Sequence, residues 1–431
     1  MRLLNYKYLP LNFYLAYSAF VVFALIFGPV KYSGMNYPVL FSYLGVLLLL
    51  FAVGFILGTK GPFSYGVGES LNPLKMVSSI FRVLLIVSIL IAIKSWVEFL
   101  LSSKSLSLTS LGQNYVSSYD GYVRGEGQIG FTYILDIFES AITVITILFT
   151  FSHYRIFSKR AKVAAVFIII TYLLINVIGS GKQKYLGDIV VFFVYAVIIK
   201  SATLNIKYSL KKLSIVLLSI VTIIILFSVI LSQRYSAIEI DASNIANSIH
   251  PLMYWDEDAP ILLLFGDISG FAIGMFLGYF TNGLCGLNLA LTLPFEWTYF
   301  LGSSYSLARI LESFIGMPDV ILANSYPYRV EQLGWGMDKW HSLFPWLASD
   351  ITFWGVLVVT LLFAYIYGRV WISSLKNINP FARPLFIYFS LGVIFSFSNN
   401  QLMHSLSGCI VLLFLMLFYI ICKKRIDKNE I

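Results

Sequence analysis

The run LSIVLLSIVTIIILFSVIL, residues 213–231, carries no charge and no proline, and that constrains the chain more than any other feature. A bilayer core offers no water to backbone N–H and C=O groups, so only α-helices and closed β-barrels cross it. Barrel strands alternate apolar and polar residues over about ten positions; this run does not alternate. Helices remain, and at about 20 apolar residues per crossing the run is long enough for one. Similar runs recur, so that 58% of the 431 residues are hydrophobic and only 12% charged. The sequence therefore predicts an all-α, polytopic integral membrane protein.

Hydropathy windows of about 19 residues predict spans near 12–30, 37–58, 76–101, 131–153, 162–179, 185–200 and 212–232, then near 345–371, 384–400 and 405–422. The first run follows Arg2 and Lys7, is long for a signal-peptide core and lacks a small-residue cleavage site, so it reads as retained. Residues 233–344 form a long mixed segment. Within it ILLLFGDISGFAIGMFLGYF and GLNLALTLPFEWTYFL are apolar enough to enter the bilayer. Parity lets both cross or neither, giving 10–12 helices, with a lateral or re-entrant element as the other arrangement. No internal repeat divides the chain, and 1–431 reads as one integral domain.

The net charge of +9 is first a topological signal. With the N-terminus in the cytoplasm, the short cytoplasmic connections hold most of the Lys and Arg residues, as in Arg155, Lys159, Arg160 and Lys162. Both termini then lie inside and the long segment outside, and no nucleic-acid partner is called for. The three cysteines and four histidines are scattered, so neither a disulfide framework nor a metal site is signalled.

Polar residues inside spans mark the costly positions. Lys94 and Glu98 have the i, i+4 spacing of a helical ion pair, and Asp136 and Glu139 open the fourth span; the run Asp256, Glu257, Asp258 is expected to be solvated. GSGKQKYLGD places Lys182 and Lys184 in a short outer turn against the positive-inside tendency, where glycine-rich backbone amides can form an anion nest. With Arg234 at the end of the seventh span they predict a cationic pocket at the outer headgroup level, suited to an anion carried on a lipid. Glu296, in PFEWTYFLG, has the aromatic company of sugar-contacting carboxylates. His341, in GWGMDKWHSLFPWLASD, opens the eighth span between Trp340 and Trp346 and can hydrogen-bond or deprotonate a hydroxyl near neutral pH. His404 lies in a short outer connection as a second-tier contact.

HSLFPWLASDITFWG resembles the histidine, aromatic, acid and glycine spacing at the last large outer loop of O-antigen ligases and related polymerases, and GSGKQK resembles a Gly-Ser-Arg-type turn of Wzy-type O-antigen polymerases, with Lys182 where an arginine is often seen. Residues 271–355 resemble oligosaccharide repeat-unit polymerases; the amino-terminal half matches in topology only. Thr352 stands at the first glycine of the ligase pattern, which favours polymerase over ligase. The resemblance implies a GT-C-like bundle with a large periplasmic loop in the inner membrane of a Gram-negative bacterium. It implies a metal-independent glycosyltransferase, with no cofactor, that moves a growing glycan from undecaprenyl diphosphate to an incoming lipid-linked repeat unit. Membrane lipid and a chain-length regulator of the polysaccharide co-polymerase type are the implied partners. In this scheme Arg234, Lys182 and Lys184 bind the diphosphate, His341 activates the acceptor hydroxyl with Asp350 supporting it, and Glu296 is the alternative base. Arg309 and Arg329 would contact a second carrier or acidic sugars. The alternatives are an O-antigen ligase acting on lipid A core and a lipid-linked oligosaccharide flippase.

Overall fold

The computed structural model describes residues 6–60, 71–102, 104–123, 131–204, 222, 225–237, 250–317, 320–337, 339–377 and 379–429. Helices dominate: α1 (Leu9–Phe27), α2 (Tyr37–Gly58), α3 (Leu71–Leu101), α4 (Leu111–Val123), α5 (Phe131–His153), α6 (Lys159–Leu173) and α7 (Lys184–Thr203). Then follow α8 over 225–236, α9 (Pro260–Ala290), α10 (Tyr305–Ile315), the single turn α11 (Tyr326–Arg329), α12 (Leu343–Lys376), α13 (Ala382–Phe395) and α14 (Leu406–Asn429). Two short antiparallel strands, β1 (Val30–Tyr32) and β2 (Met253–Trp255), pair Lys31 with Tyr254. Eight of the described helices are long and apolar enough to cross a membrane, and two shorter apolar helices lie at Ala382–Phe395 and Leu406–Cys422. The chain is an all-helical, multi-pass membrane protein. Most of the predicted span 212–232 lies outside the described residues, which take it up again in α8.

Local chemistry sets the helix ends. Asn36 accepts from the N–H of Val39 at the start of α2, and Ser158 does the same for Ala161 at the start of α6, each satisfying one of the free first-turn donors. Helix α6 runs into a single π-helical stretch, Leu174–Ile178. The closest helix pair is α2 with α12. Its contacts advance together, Gly54 on Leu361 and Gly58 on Tyr365, with the Tyr43 hydroxyl donating to the Phe353 carbonyl at 3.3 Å, so the two helices run parallel. A Cβ at Gly54 or Gly58 would overlap the carbonyl oxygens of Leu361 and Tyr365. Small residues allow this backbone approach, the usual basis of helix association in lipid, where apolar burial gives little drive.

Of the two apolar stretches in the long mixed segment, expected to behave alike, the first lies in α9, whereas residues 291–304, which hold most of the second, are not helical. Helix α9 is long and apolar enough to cross, and it packs both on α1, where the Phe280 ring lies 6.0 Å from Tyr17 and 5.7 Å from Phe20, and along the connection that follows α1. Gly274 packs on Pro29, Gly278 on Val30, Thr281 and Asn282 bond the Tyr32 hydroxyl, and Asn288 bonds Asn36.

Helix α12 is broken at Thr352, where φ 66° and ψ 164° is a backbone region that essentially only glycine occupies. The Thr352 hydroxyl accepts from the N–H of Gly355 at 3.2 Å, restarting the helix. Lys94 bridges α3 to α5: its Nζ lies 2.8 Å from Glu139, 3.4 Å from Asp136 and 3.6 Å from Glu98. The expected pairing with Glu98 is thus the longest of the three. Asp256, expected to be solvated, pairs with Lys31 at 3.6 Å.

Candidate functional site

Polar side chains converge at one end of the bundle, where the α6–α7 turn, the last turn of α8, the second half of α9 and the approach to α12 meet. Nη1 of Arg234 donates to Gln183 Oε1 at 2.7 Å and to the Tyr279 hydroxyl at 3.0 Å. That hydroxyl donates to the same Gln183 oxygen at 2.9 Å, and the guanidinium carbon lies 3.5 Å from the Tyr115 ring centre. Arg234 Nε and Gln183 Nε2 are shielded and have no hydrogen-bond partner. Among the described residues no carboxylate pairs with Arg234. A guanidinium stripped of water and left without a carboxylate is costly, and the two idle N–H groups beside it can hold an incoming anion.

Lys182 and Lys184 are exposed on the same connection, and neither forms an ion pair among the described residues. Lys104 reaches the Ser118 hydroxyl at 3.0 Å; burial, and then the charge of Lys182, hold its pKa below the ordinary lysine value. Cations therefore accumulate here. The turn itself is not the open nest expected from its glycines: the N–H groups of Gly179 and Lys182 are taken by the carbonyls of Leu174 and Asn176, at 2.9 and 3.1 Å.

The Tyr279 ring lies 6.4 Å from that of Trp340, which lines a cavity of about 140 Å³ together with Met337, Lys339, His341, Trp346, Asn399 and His404. Two histidines drawn from connections 63 positions apart in sequence, 341 and 404, thus share one wall. His341 is 3% exposed. Its Nε2 donates to the Gly336 carbonyl at 3.2 Å, since a carbonyl can only accept, and in the neutral ring this leaves the lone pair on Nδ1. A Cβ built on Gly286 would stand 2.8 Å from that Nδ1, so glycine is what lets α9 pack on the imidazole. His404 stacks on Tyr305, with ring centres 5.1 Å apart and planes at 7°, and meets Trp346 edge-on at 5.4 Å. Arg309 donates at 3.1 Å to the hydroxyl of Tyr305, whose ring stacks on His404. Asn399 donates to Gln401, and Gln401 to Asp188, tying the far wall to α7.

Burial, then the charges of Lys184 and His341, lower the pKa of His404 to about 4. The unfolded side chain titrates near 6.5, so between these values the unfolded state binds the extra proton and stability rises with pH. Thermal melts in lipid discs should therefore be level above about pH 6.5 and fall as pH is lowered toward 4. His404→Gln should flatten that descent; an unchanged slope would assign it to other groups.

Asp350 does not support His341. Its Oδ1 accepts from the Thr298 hydroxyl at 2.6 Å and the Gly302 N–H at 2.8 Å, and its Oδ2 from the Ser303 N–H at 2.8 Å. The acid pins the 298–303 loop to α12. Glu296 is likewise committed, 2.8 Å from Arg329, whose Nη1 donates to the Pro294 carbonyl at 2.7 Å. The predicted base and one predicted substrate contact thus hold each other. Asp350→Ala strands the N–H groups of Gly302 and Ser303, while the Thr298 hydroxyl keeps the Ser349 carbonyl, and should cost about 3 kcal/mol; a melting temperature equal to the parent's would contradict this. Gln183 and Tyr279 were not singled out in the sequence, where nothing marks a glutamine or a tyrosine within an apolar run as the partner of a distant arginine.

Compared with known proteins, the chain matches no family model, no curated protein and no solved structure.

Proposed function

We propose that this chain is a glycosyltransferase that polymerises lipid-diphosphate-linked oligosaccharide repeat units, an O-antigen polymerase working at the periplasmic face of a bacterial inner membrane. The observation that carries the proposal is Arg234, a guanidinium that no carboxylate pairs among the described residues, in the same end of the bundle as the cavity shared by His341 and His404. Such an end suits a substrate whose leaving group is anionic and whose acceptor is a hydroxyl.

In the proposed reaction the acceptor hydroxyl attacks the anomeric carbon of the donor and the bond to the diphosphate oxygen breaks. The hydroxyl proton passes to a cavity base, and Arg234 with Lys182 and Lys184 holds the charge that develops on the diphosphate. The orphan donors of Arg234 and Gln183 supply this stabilisation from fixed positions, so that little reorganisation is needed during transfer. The resemblance of GSGKQK and of residues 334–355 to polymerase segments favours this chemistry over flipping, which needs a polar path through both leaflets.

Purified protein in lipid discs, supplied with a lipid-diphosphate-linked repeat unit, should lengthen it into a ladder. Transfer only to lipid A core would instead support a ligase, and transfer to neither would reject glycosyl transfer with these substrates.

A further inference from the structure

The segment between α9 and α12 carries a second feature that the transfer chemistry leaves unused. Trp297, Tyr299 and Phe300 expose 44%, 56% and 66% of their surface in a turn closed by the Leu301 N–H on the Thr298 carbonyl. Both central residues have positive φ, 57° at Tyr299 and 62° at Phe300, a conformation normally left to Asn and Gly. Two bulky aromatics are thus held in an unfavourable backbone with their rings turned outward. Further along, α10 ends at Gly316 in the left-handed conformation, and its tip exposes Phe314 at 91% and Ile315 at 61%. The buried carboxylate of Glu312 accepts the N–H groups of Ile321 and Leu322 at 2.5 and 2.7 Å. The tip is therefore held in place by the returning chain.

The height of these groups identifies what they meet. Asp350 and Ser349 fasten the aromatic turn to α12, a few residues before Phe353, which pairs with Tyr43 in the second turn of α2. Because α2 and α12 run parallel, the turn sits level with the beginning of the apolar α2 helix. Just below it Trp354 is 80% exposed and leads into Val358 and Leu362, 58% and 55% exposed, at one-turn intervals. An exposed apolar stripe of this kind suits contact with lipid, and the aromatic turn is fastened just before its start. Aromatic rings gathered at this level form an interfacial belt, and an apolar tip beside them behaves as an in-plane anchor.

We infer that residues 295–317 form a paddle seated in the headgroup and acyl boundary of the bilayer, with lipid as its partner. The paddle also holds the cavity. Tyr305 at the root of α10 stacks on His404, and Ser306 donates its N–H to the His404 carbonyl at 3.1 Å. Lipid contact at the tip is thereby coupled to the placement of that histidine, whatever reaction the cavity carries out.

The test uses Phe314→Trp, a conservative change, in discs of phospholipid with or without bromine on the upper acyl carbons. The added fluorescence should be blue-shifted relative to tryptophan in water, quenched by brominated lipid and insensitive to iodide. Trp297→Phe should remove part of the brominated-lipid quenching seen in the parent. Emission at Phe314→Trp that iodide quenches and brominated lipid does not would overturn the paddle. Emission that neither agent reaches would place a protein surface, such as a second copy, over the tip and would also overturn it. None of these readouts depends on glycosyl transfer.

Discussion

Arg234→Ala is expected to abolish polymer while the protein remains in the membrane with an unchanged melting temperature. Arg234 is the only described group at this end that offers a guanidinium fork with an idle N–H. Removing one preorganised donor from a developing oxyanion costs on the order of 100- to 1,000-fold in rate. Arg234→Lys should restore only part of the activity. An ammonium keeps the charge but loses both the planar stacking on Tyr115 and the second donor direction. Gln183→Glu separates binding from folding: it places a carboxylate on the 2.7 Å contact with Arg234, should leave stability equal or higher, and should still suppress polymer because the cation is already paired. Normal chain lengths in Arg234→Ala, measured as the glycan ladder, would reject the diphosphate pocket. Lost polymer together with lost protein would show that Arg234 is needed for folding, and Gln183→Glu would then decide.

For His341→Ala the expected phenotype is loss of polymer with single repeat units still joined to lipid A core, since those units reach the core through a separate enzyme. The fall in rate should be about 100- to 10,000-fold, the range for a positioned acid or base. His341→Gln retains a group able to donate to the Gly336 carbonyl, at 3.2 Å in the parent, but has no basic nitrogen. It should keep the fold and fail in transfer. An unchanged ladder in both variants would return the histidine to a packing role between Gly286 and Trp346. The neutral His404 on the same wall would then be the remaining basic group, and His404→Ala would be the variant to measure.

Several features were legible in the sequence because one physical rule dominated them. Hydrocarbon admits only internally bonded backbone, so α2, predicted over 37–58, is found at Tyr37–Gly58. The end of α3 and the extent of α5 follow the same logic. Residues 260–290 were ambiguous because hydropathy reports the solvent a helix prefers and carries no information about its direction. The packing of α9 against Pro29, Tyr32 and Asn36 arises only once the chain is folded. In the candidate site, spacing brought His341 and Trp346 together, and charge drew attention to Arg234. The partners of acids were not legible. Asp350 and Glu296 looked catalytic by neighbourhood, yet each satisfies a need of the chain itself, one capturing the amides of a strained loop and the other the Arg329 guanidinium. Such needs arise only when distant segments are brought together.

The interruption at Thr352 gives the longest helix a joint. Its leading turns are fastened through Ser349 and Asp350 to the 298–303 loop and carry Trp346 on the cavity wall. The trailing turns, locked by Leu361 and Tyr365 against α2, belong to the shaft in the bilayer. A tilt of one part against the other would be absorbed at one hydroxyl-capped residue and would leave the glycine seam undisturbed.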